Sequence, residues 1–295
     1  MSLRKILCSI DFSSESDHAL RVAVRLATRD DADLVLVHAW YAGEYALAQY
    51  RFPSPAVDQL IEDEERGLAA AVRSAQSLGA RRVSSALLTG YPSQEIVEAL
   101  RLDPAFDLAV IGTRGRTGLS RVLLGSVAEQ TMRHAPCPVL VTRERPGVTA
   151  FRRVLCAVDL SESSRDAMEL ATTMVDPGGA GITLLHAIEL PVTYSRAIPG
   201  GDIAVAIEAR AGELLEKAAA ELRTMTTVPV TTVLRTGNPG AQALALLDEQ
   251  PAFDLVVTGT HGRTGIRRVF LGSVAEKIVR HAPCSVLVAR RREQA

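Results

Sequence analysis

The stretch GTRGRTGLSRVLLGSVAEQTMRHAPCPVLV (112–141) returns later in the chain as GTHGRTGIRRVFLGSVAEKIVRHAPCSVLV (259–288). Working outward from it, Ala105-Phe106-Asp107-Leu108 matches Ala252-Phe253-Asp254-Leu255, and His38 matches His186. Further back, Asp11 matches Asp159, and Arg4-Lys5-Ile6-Leu7-Cys8 matches Arg152-Arg153-Val154-Leu155-Cys156. The offset is 148 from Cys8 to Cys156 and 147 from Gly112 to Gly259, so one residue was gained or lost in between. A period this long means duplicated domains rather than a solenoid of short repeats. The junction falls within 144–150, which holds Pro146 and Gly147, and divides the chain into domains 1–146 and 150–295.

Each copy alternates strand and helix signals. KILCSID is a short apolar run rich in branched residues, the pattern of a buried strand. Ser14, with Asp17 three residues on, reads as a helix start, and Ala19, Val22, Ala23 and Leu26 follow at helical spacing. DLVLVHAW is a second strand, and Val57, Leu60, Ile61, Leu68, Val72 and Ala75 mark a long amphipathic helix. VSSALLT, the helix Ser93–Leu102, DLAVIGT, the helix Ser126–Arg133 and PVLVTR complete the copy. Residues 41–56 and 189–202 fit no period and read as excursions over the sheet edge. The order βαβαβαβαβ predicts a doubly wound α/β fold: a parallel sheet covered on both faces. Its ligand crevice is expected outside the carboxyl ends of the strands, where Asp11, His38-Ala39 and Gly112 fall.

Composition narrows the classes. With 47% apolar and 23% charged residues, the chain of 295 residues is an ordinary globular sequence. A net charge of −1 provides no global field toward nucleic acid or an anionic membrane, so neither is expected as a partner. The start MSLRKILCSID has no apolar run suited to a signal peptide or membrane span, and a cytoplasmic location is expected. Cys8, Cys137, Cys156 and Cys284 fall two per copy without metal-ligand spacing, and are expected to be buried and reduced.

The repeated segment carries the chemistry. Gly112, Gly115 and Gly125-Ser126 form G-x2-G-x9-G-S, and Gly259, Gly262 and Gly272-Ser273 repeat it. Glycine allows a backbone to approach a ligand closely, and successive N–H groups in such a loop form an anion nest. The following helix start adds unpaired N–H groups with partial positive charge, which suits phosphate. Arg114, Arg116 and Arg121 flank the first loop; His261, Arg263, Arg267 and Arg268 flank the second. A plainer reading stands beside this one: Ser126 with Glu129, and Ser273 with Glu276, match a capping box that needs no ligand. Asp11 and Asp159 are open between contact to a nucleotide or its metal and a helix-start role. His38 and His186 are expected to orient through a backbone hydrogen bond, and no metal site is expected because ligand spacing is lacking. His134 and His281, at a helix end, suit the helix dipole.

On these motifs the chain resembles the universal stress protein family, of the ATP-binding type and in tandem two-domain form, over nearly its whole length. The resemblance implies two Rossmann-like, adenine nucleotide alpha hydrolase-like domains with strand order 3-2-1-4-5. It also implies an intrachain pseudo-dimer through the last strands, with homodimers beyond it, and an unknown protein partner. It further implies ATP, with or without Mg2+, at one site per domain. By motif position Ser9 and Asp11 would line the adenosine side, and Ala39 would pair with adenine through its backbone. Gly112, Thr113, Arg114, Gly115, Arg116, Thr117 and Gly118 would wrap ribose and phosphates; Gly125, Ser126, Val127 and Ala128 would hold the outer phosphates. The second copy supplies Ala157, Asp159, Ala187, Gly259, Thr260, His261, Gly262, Arg263, Thr264, Gly265, Gly272, Ser273, Val274 and Ala275. The function implied is nucleotide-dependent regulation of a stress response.

A slow ATPase or a nucleotidyl-transfer enzyme is the alternative. The chain lacks a GxxxxGK[ST] loop and the HxGH and SGGxDS patterns. Only Asp11 and Ser13 stand near the expected phosphates, without a clear base, so no catalytic residue is assigned.

Overall fold

The computed structural model describes residues 2–41, 55–113, 124–145, 148, 150–189, 202–260 and 271–290. The chain separates into two compact units, residues 2–144 and 145–291. In the first, β1 (Lys5–Ser9), α1 (Ser14–Asp30), β2 (Asp33–Trp40), α2 (Pro55–Ser77), β3 (Val83–Thr89) and α3 (Pro92–Leu102) follow in order. β4 (Leu108–Gly112), α4 (Ser126–His134) and β5 (Val139–Thr142) complete the unit. The second repeats the order with β6 (Arg153–Ala157), α5 (Glu162–Met174), β7 (Gly181–Ile188), α6 (Asp202–Arg223) and β8 (Val230–Thr236). It ends with α7 (Pro239–Glu249), β9 (Leu255–Gly259), α8 (Ser273–His281) and β10 (Ser285–Ala289). The doubly wound α/β fold is therefore as the sequence implied. Within the stretches that fit no period, α2 already begins at Pro55 and α6 at Asp202; residues 42–54 and 190–201 lie outside the described residues.

All pairings within each unit are parallel. β1 pairs with β2 and β4, β2 with β3, and β4 with β5. β6 pairs with β7 and β9, β7 with β8, and β9 with β10. Each unit thus has the order 3-2-1-4-5, and the winding direction reverses between its first and fourth strands. Such a switch point opens a crevice at the carboxyl edge of the sheet, because the loops on either side diverge.

The cores follow from the runs that marked the strands. Ile6, Leu7, Cys8, Leu108 and Val110 in the first unit have no exposed surface, as do Val154, Leu155, Cys156, Leu255, Val256 and Val257 in the second. Strands covered on both faces are apolar throughout rather than alternating. All four cysteines are buried thiols. Burial holds the Cys8 thiol far above its ordinary value and pushes Cys156 up to about 12, so both stay protonated and inert. At the amino edge, the buried Asp107 carboxylate accepts the N–H groups of Arg4 and Lys5, tying β4 to β1. Asp254 does the same for Arg152 and Arg153. Among the described residues, no helix is long and apolar enough to cross a membrane.

Candidate nucleotide site

The site is assembled from three strand ends at the carboxyl edge of each unit. Beyond β1, Asp11 Oδ1 accepts from the N–H (3.1 Å) and hydroxyl (2.5 Å) of Ser13. Ser13 Oγ in turn accepts the N–H of Ser16 and caps α1. The cap is therefore Ser13, one residue before the Ser14 that the pattern suggested, because the chain needs an extended residue there before it coils. Between them Phe12 takes a left-handed conformation with φ of 61°, and Leu160 takes one with φ of 62°. A bulky residue holds such a conformation only where its surroundings compel it. Phe12 packs against His38, the two rings tilted at 42° with centroids 4.6 Å apart. In the second unit Asp159 Oδ1 accepts from Ser161 N–H, Ser161 Oγ–H and Ser164 Oγ–H. Asp11 and Asp159 thus serve the helix start through serine.

The second strand end presents backbone. His38 Nδ1 lies 2.7 Å from the carbonyl of Ile10, and His186 Nδ1 lies 2.8 Å from that of Val158, the backbone-orienting role expected of both. In a parallel ladder, the N–H and C=O of one residue face the same neighbouring strand, and successive residues alternate sides. Val37 C=O accepts from Ile10 on the β1 side, and Trp40 C=O accepts from Gly90 on the β3 side. The backbone groups of Ala39 accordingly face the β1 side, where β1 has already ended. The bonds Val158 N–H to Leu185 and Gly237 N–H to Ile188 put Ala187 in the same position.

At the fourth strand end, Gly125 N–H donates to Thr113 C=O at 2.8 Å, and Gly272 N–H to Thr260 C=O at 2.9 Å. These bonds pin each helix start beside the strand end. Gly125 and Gly272 are the N-caps of α4 and α8, and neither makes a side-chain capping bond. The expected capping boxes are therefore not formed. Ser126 and Ser273 are first helical residues, exposed to solvent, and Glu129 and Glu276 stand four residues past the cap instead of three. Those carboxylates each reach down the helix to an arginine, Arg133 and Arg280, at 3.0 Å. The N–H groups of Ser126, Val127 and Ala128, and of Ser273, Val274 and Ala275, precede the first helical bond and point out of the helix toward the crevice.

Gly112 has a structural role in the packing of α1. A Cβ there would come within 3.0 Å of the Glu15 backbone, so this glycine lets β4 pass the first turn of α1. Arg114 to Gly118 and His261 to Gly265 lie outside the described residues, as do Arg121, Arg267 and Arg268. Ser9, Asp11, Ala39, Gly112, Thr113 and Gly125 to Ala128 are brought to one edge of the first unit. Ala157, Asp159, Ala187, Gly259, Thr260 and Gly272 to Ala275 are brought to the same edge of the second.

The profile of the Universal stress protein family matches residues 2–143 and again 150–290. The chain belongs to the universal stress protein family. A universal stress protein of Mycobacterium tuberculosis is 30% identical over 97% of both chains. Another, of Mycolicibacterium smegmatis, is 28% identical over 97% of both. Among solved structures, a universal stress protein from Archaeoglobus fulgidus aligns over 97% of this chain and 98% of its own with a TM-score of 0.70 and 22% identity, a likeness of fold.

Burial alone would raise the Asp159 carboxyl, but hydrogen bonds from Ser161 and Ser164 outweigh it and hold the group below its ordinary value. Asp159 Oδ2 is buried and has no hydrogen-bond partner. Among the described residues, no cluster of three His, Cys, Asp or Glu could hold a metal ion. Sequence inspection missed Phe12 and Ser164 at the rim, and the pairs Tyr41–Tyr91 and Glu189–Asn238. Comparing the copies position by position just past each strand would have exposed the last two, since Tyr41 and Glu189 both follow the Ala-x of the second strand.

Proposed function

We propose that each unit binds one adenine nucleotide, ATP first among them, and that occupancy regulates a protein surface rather than feeding a reaction. The observation that carries this reading is the uncapped helix start pinned beside the fourth strand end in both units. Its three leading N–H groups suit phosphate oxygens, and among the described residues no side chain caps them. Facing it, the Ala39 and Ala187 backbones offer one donor and one acceptor, the pair that the edge of adenine requires. The glycine motif, present in full in both copies, lies between these two features in sequence. Asp11 and Asp159 are engaged by serines, and among the described residues no arrangement of a nucleophile with a base stands at the edge, which favours binding over turnover. Within this reading the two domains span residues 1–146 and 150–295.

The test is mass analysis of nucleotide released from purified, denatured protein, with calorimetry on the stripped protein in ATP and Mg2+. Release of an adenine nucleotide and ATP heats are expected. A protein that is purified empty and gives no heat with ATP overturns the proposal.

A further inference from the structure

We infer that His38 and His186 are positioning residues: each imidazole occupies the last carbonyl beside its strand, and so keeps the backbone of Ala39 or Ala187 open for a ligand. The inference rests on the nucleotide reading above and deepens it. A parallel ladder advances in fixed steps, each residue donating to one partner and accepting from the residue two places further along the same strand. Ile10 N–H donates to Val37 C=O at 2.8 Å, so the next bond would run from Ala39 N–H to Ile10 C=O. Among the described residues that bond is not made, and the pairing of β1 with β2 ends at Ser9 and Val37. The Ile10 carbonyl meets His38 Nδ1 instead, at 2.7 Å. A carbonyl only accepts, so Nδ1 carries the proton and donates it.

The second unit repeats each step. Val158 N–H donates to Leu185 C=O at 2.9 Å, the pairing of β6 with β7 ends at Ala157 and Leu185, and His186 Nδ1 meets Val158 C=O at 2.8 Å. Both histidines are buried. Around His38 the ring is held further, since Phe12 packs against it and Nε2 stands 3.1 Å from Glu64 Oε2. A buried carbonyl needs a donor. Supplied by backbone, that donor would be Ala39 N–H, and the ladder would close over the position that faces the crevice. Supplied by the imidazole of the preceding residue, the carbonyl is satisfied and the Ala39 N–H stays available to an acceptor such as a ring nitrogen of adenine. A side chain without a donor at position 38 or 186 loses this device.

Amide exchange of the stripped full-length protein, read by NMR, tests this beside ATP calorimetry. In the wild-type chain Ala39 N–H should exchange faster than Val37 N–H, which lies within the ladder, and ATP should slow it. His38→Leu should let the ladder close by one bond, so that Ala39 exchange slows without ligand. ATP affinity at one of the two sites should then fall about tenfold, the worth of one hydrogen bond. His38→Asn, whose side-chain amide can donate where Nδ1 does, should restore both readouts. Lost packing alone would speed Ala39 exchange in His38→Leu, the opposite sign. The inference is overturned by faster or unchanged exchange in His38→Leu, by unchanged ATP affinity there, or by His38→Asn behaving like His38→Leu. An Ala39 N–H as protected as that of Val37 in the stripped wild-type chain overturns it too, with no variant required to fold. The expected exchange pattern without any ATP heat would overturn the nucleotide reading alone.

Discussion

At the scale of single residues, the serines decide between two readings of the repeated motif. Ser126 and Ser273 look like caps in the sequence but are exposed first-turn residues behind a glycine cap. Ser13, which carries no such signature, is the one that caps a helix. Ser126→Ala should therefore change unfolding by less than about 0.5 kcal/mol, the range of an ordinary surface change. Ser13→Ala should cost about 1 kcal/mol, the usual worth of a cap. Urea unfolding of both variants checks this, and a large loss in Ser126→Ala would restore the capping role. Asp159 yields a second residue-scale prediction. Its native value is depressed, so its contribution is fully present above the ordinary carboxyl range near pH 4 and is lost as pH falls through the depressed value. Tm measured from pH 6 downward should decline more steeply in the wild-type chain than in Asp159→Asn. Parallel curves would remove the linkage.

At the scale of elements, the site depends on where strands begin as much as where they end. Asp107 ties the amino ends of β4 and β1 together, and Asp254 repeats the tie between β9 and β6. These bonds set the register that puts the two carboxyl ends on either side of the crevice. Asp107→Ala would leave two backbone donors without their acceptor in a closed edge. It should destabilise the first unit by about 1–3 kcal/mol, read by urea unfolding; an unchanged midpoint would show that water replaces the carboxylate. Gly112 belongs to the same scale. The motif places it beside the ligand, and its missing Cβ also lets α1 start against β4. Within a motif of three glycines, sequence cannot separate the one needed by a helix from those needed by a phosphate, since both ask only for the absence of a side chain.

At the scale of the whole molecule, duplication predicts stoichiometry. Two complete motifs on two units of the same strand order imply two nucleotides per chain. Gly115→Ala and Gly262→Ala should each remove or weaken one of the two, so that calorimetry finds about one equivalent at the wild-type affinity. Two unaltered equivalents in both single variants would take the middle glycine out of the site. The single-residue offset between the copies falls after the second strand, in the region where Tyr41 and Glu189 also depart from the common pattern. The copies diverged at the rim and kept the frame.

The amino-acid sequence by itself determined the duplication, the order of strands and helices, the burial of the four cysteines and the strand ends that form the crevice. These follow from periodicity and apolar runs, which are local properties or repeats of local properties. Only the tertiary structure decided which serine caps a helix, which glycine yields to a neighbouring turn, and that Tyr41 meets Tyr91 as Glu189 meets Asn238. Each of those depends on a contact between residues from different elements. A hydrogen bond or a stack is set by the distance between such residues in space, which the pattern along the chain does not contain.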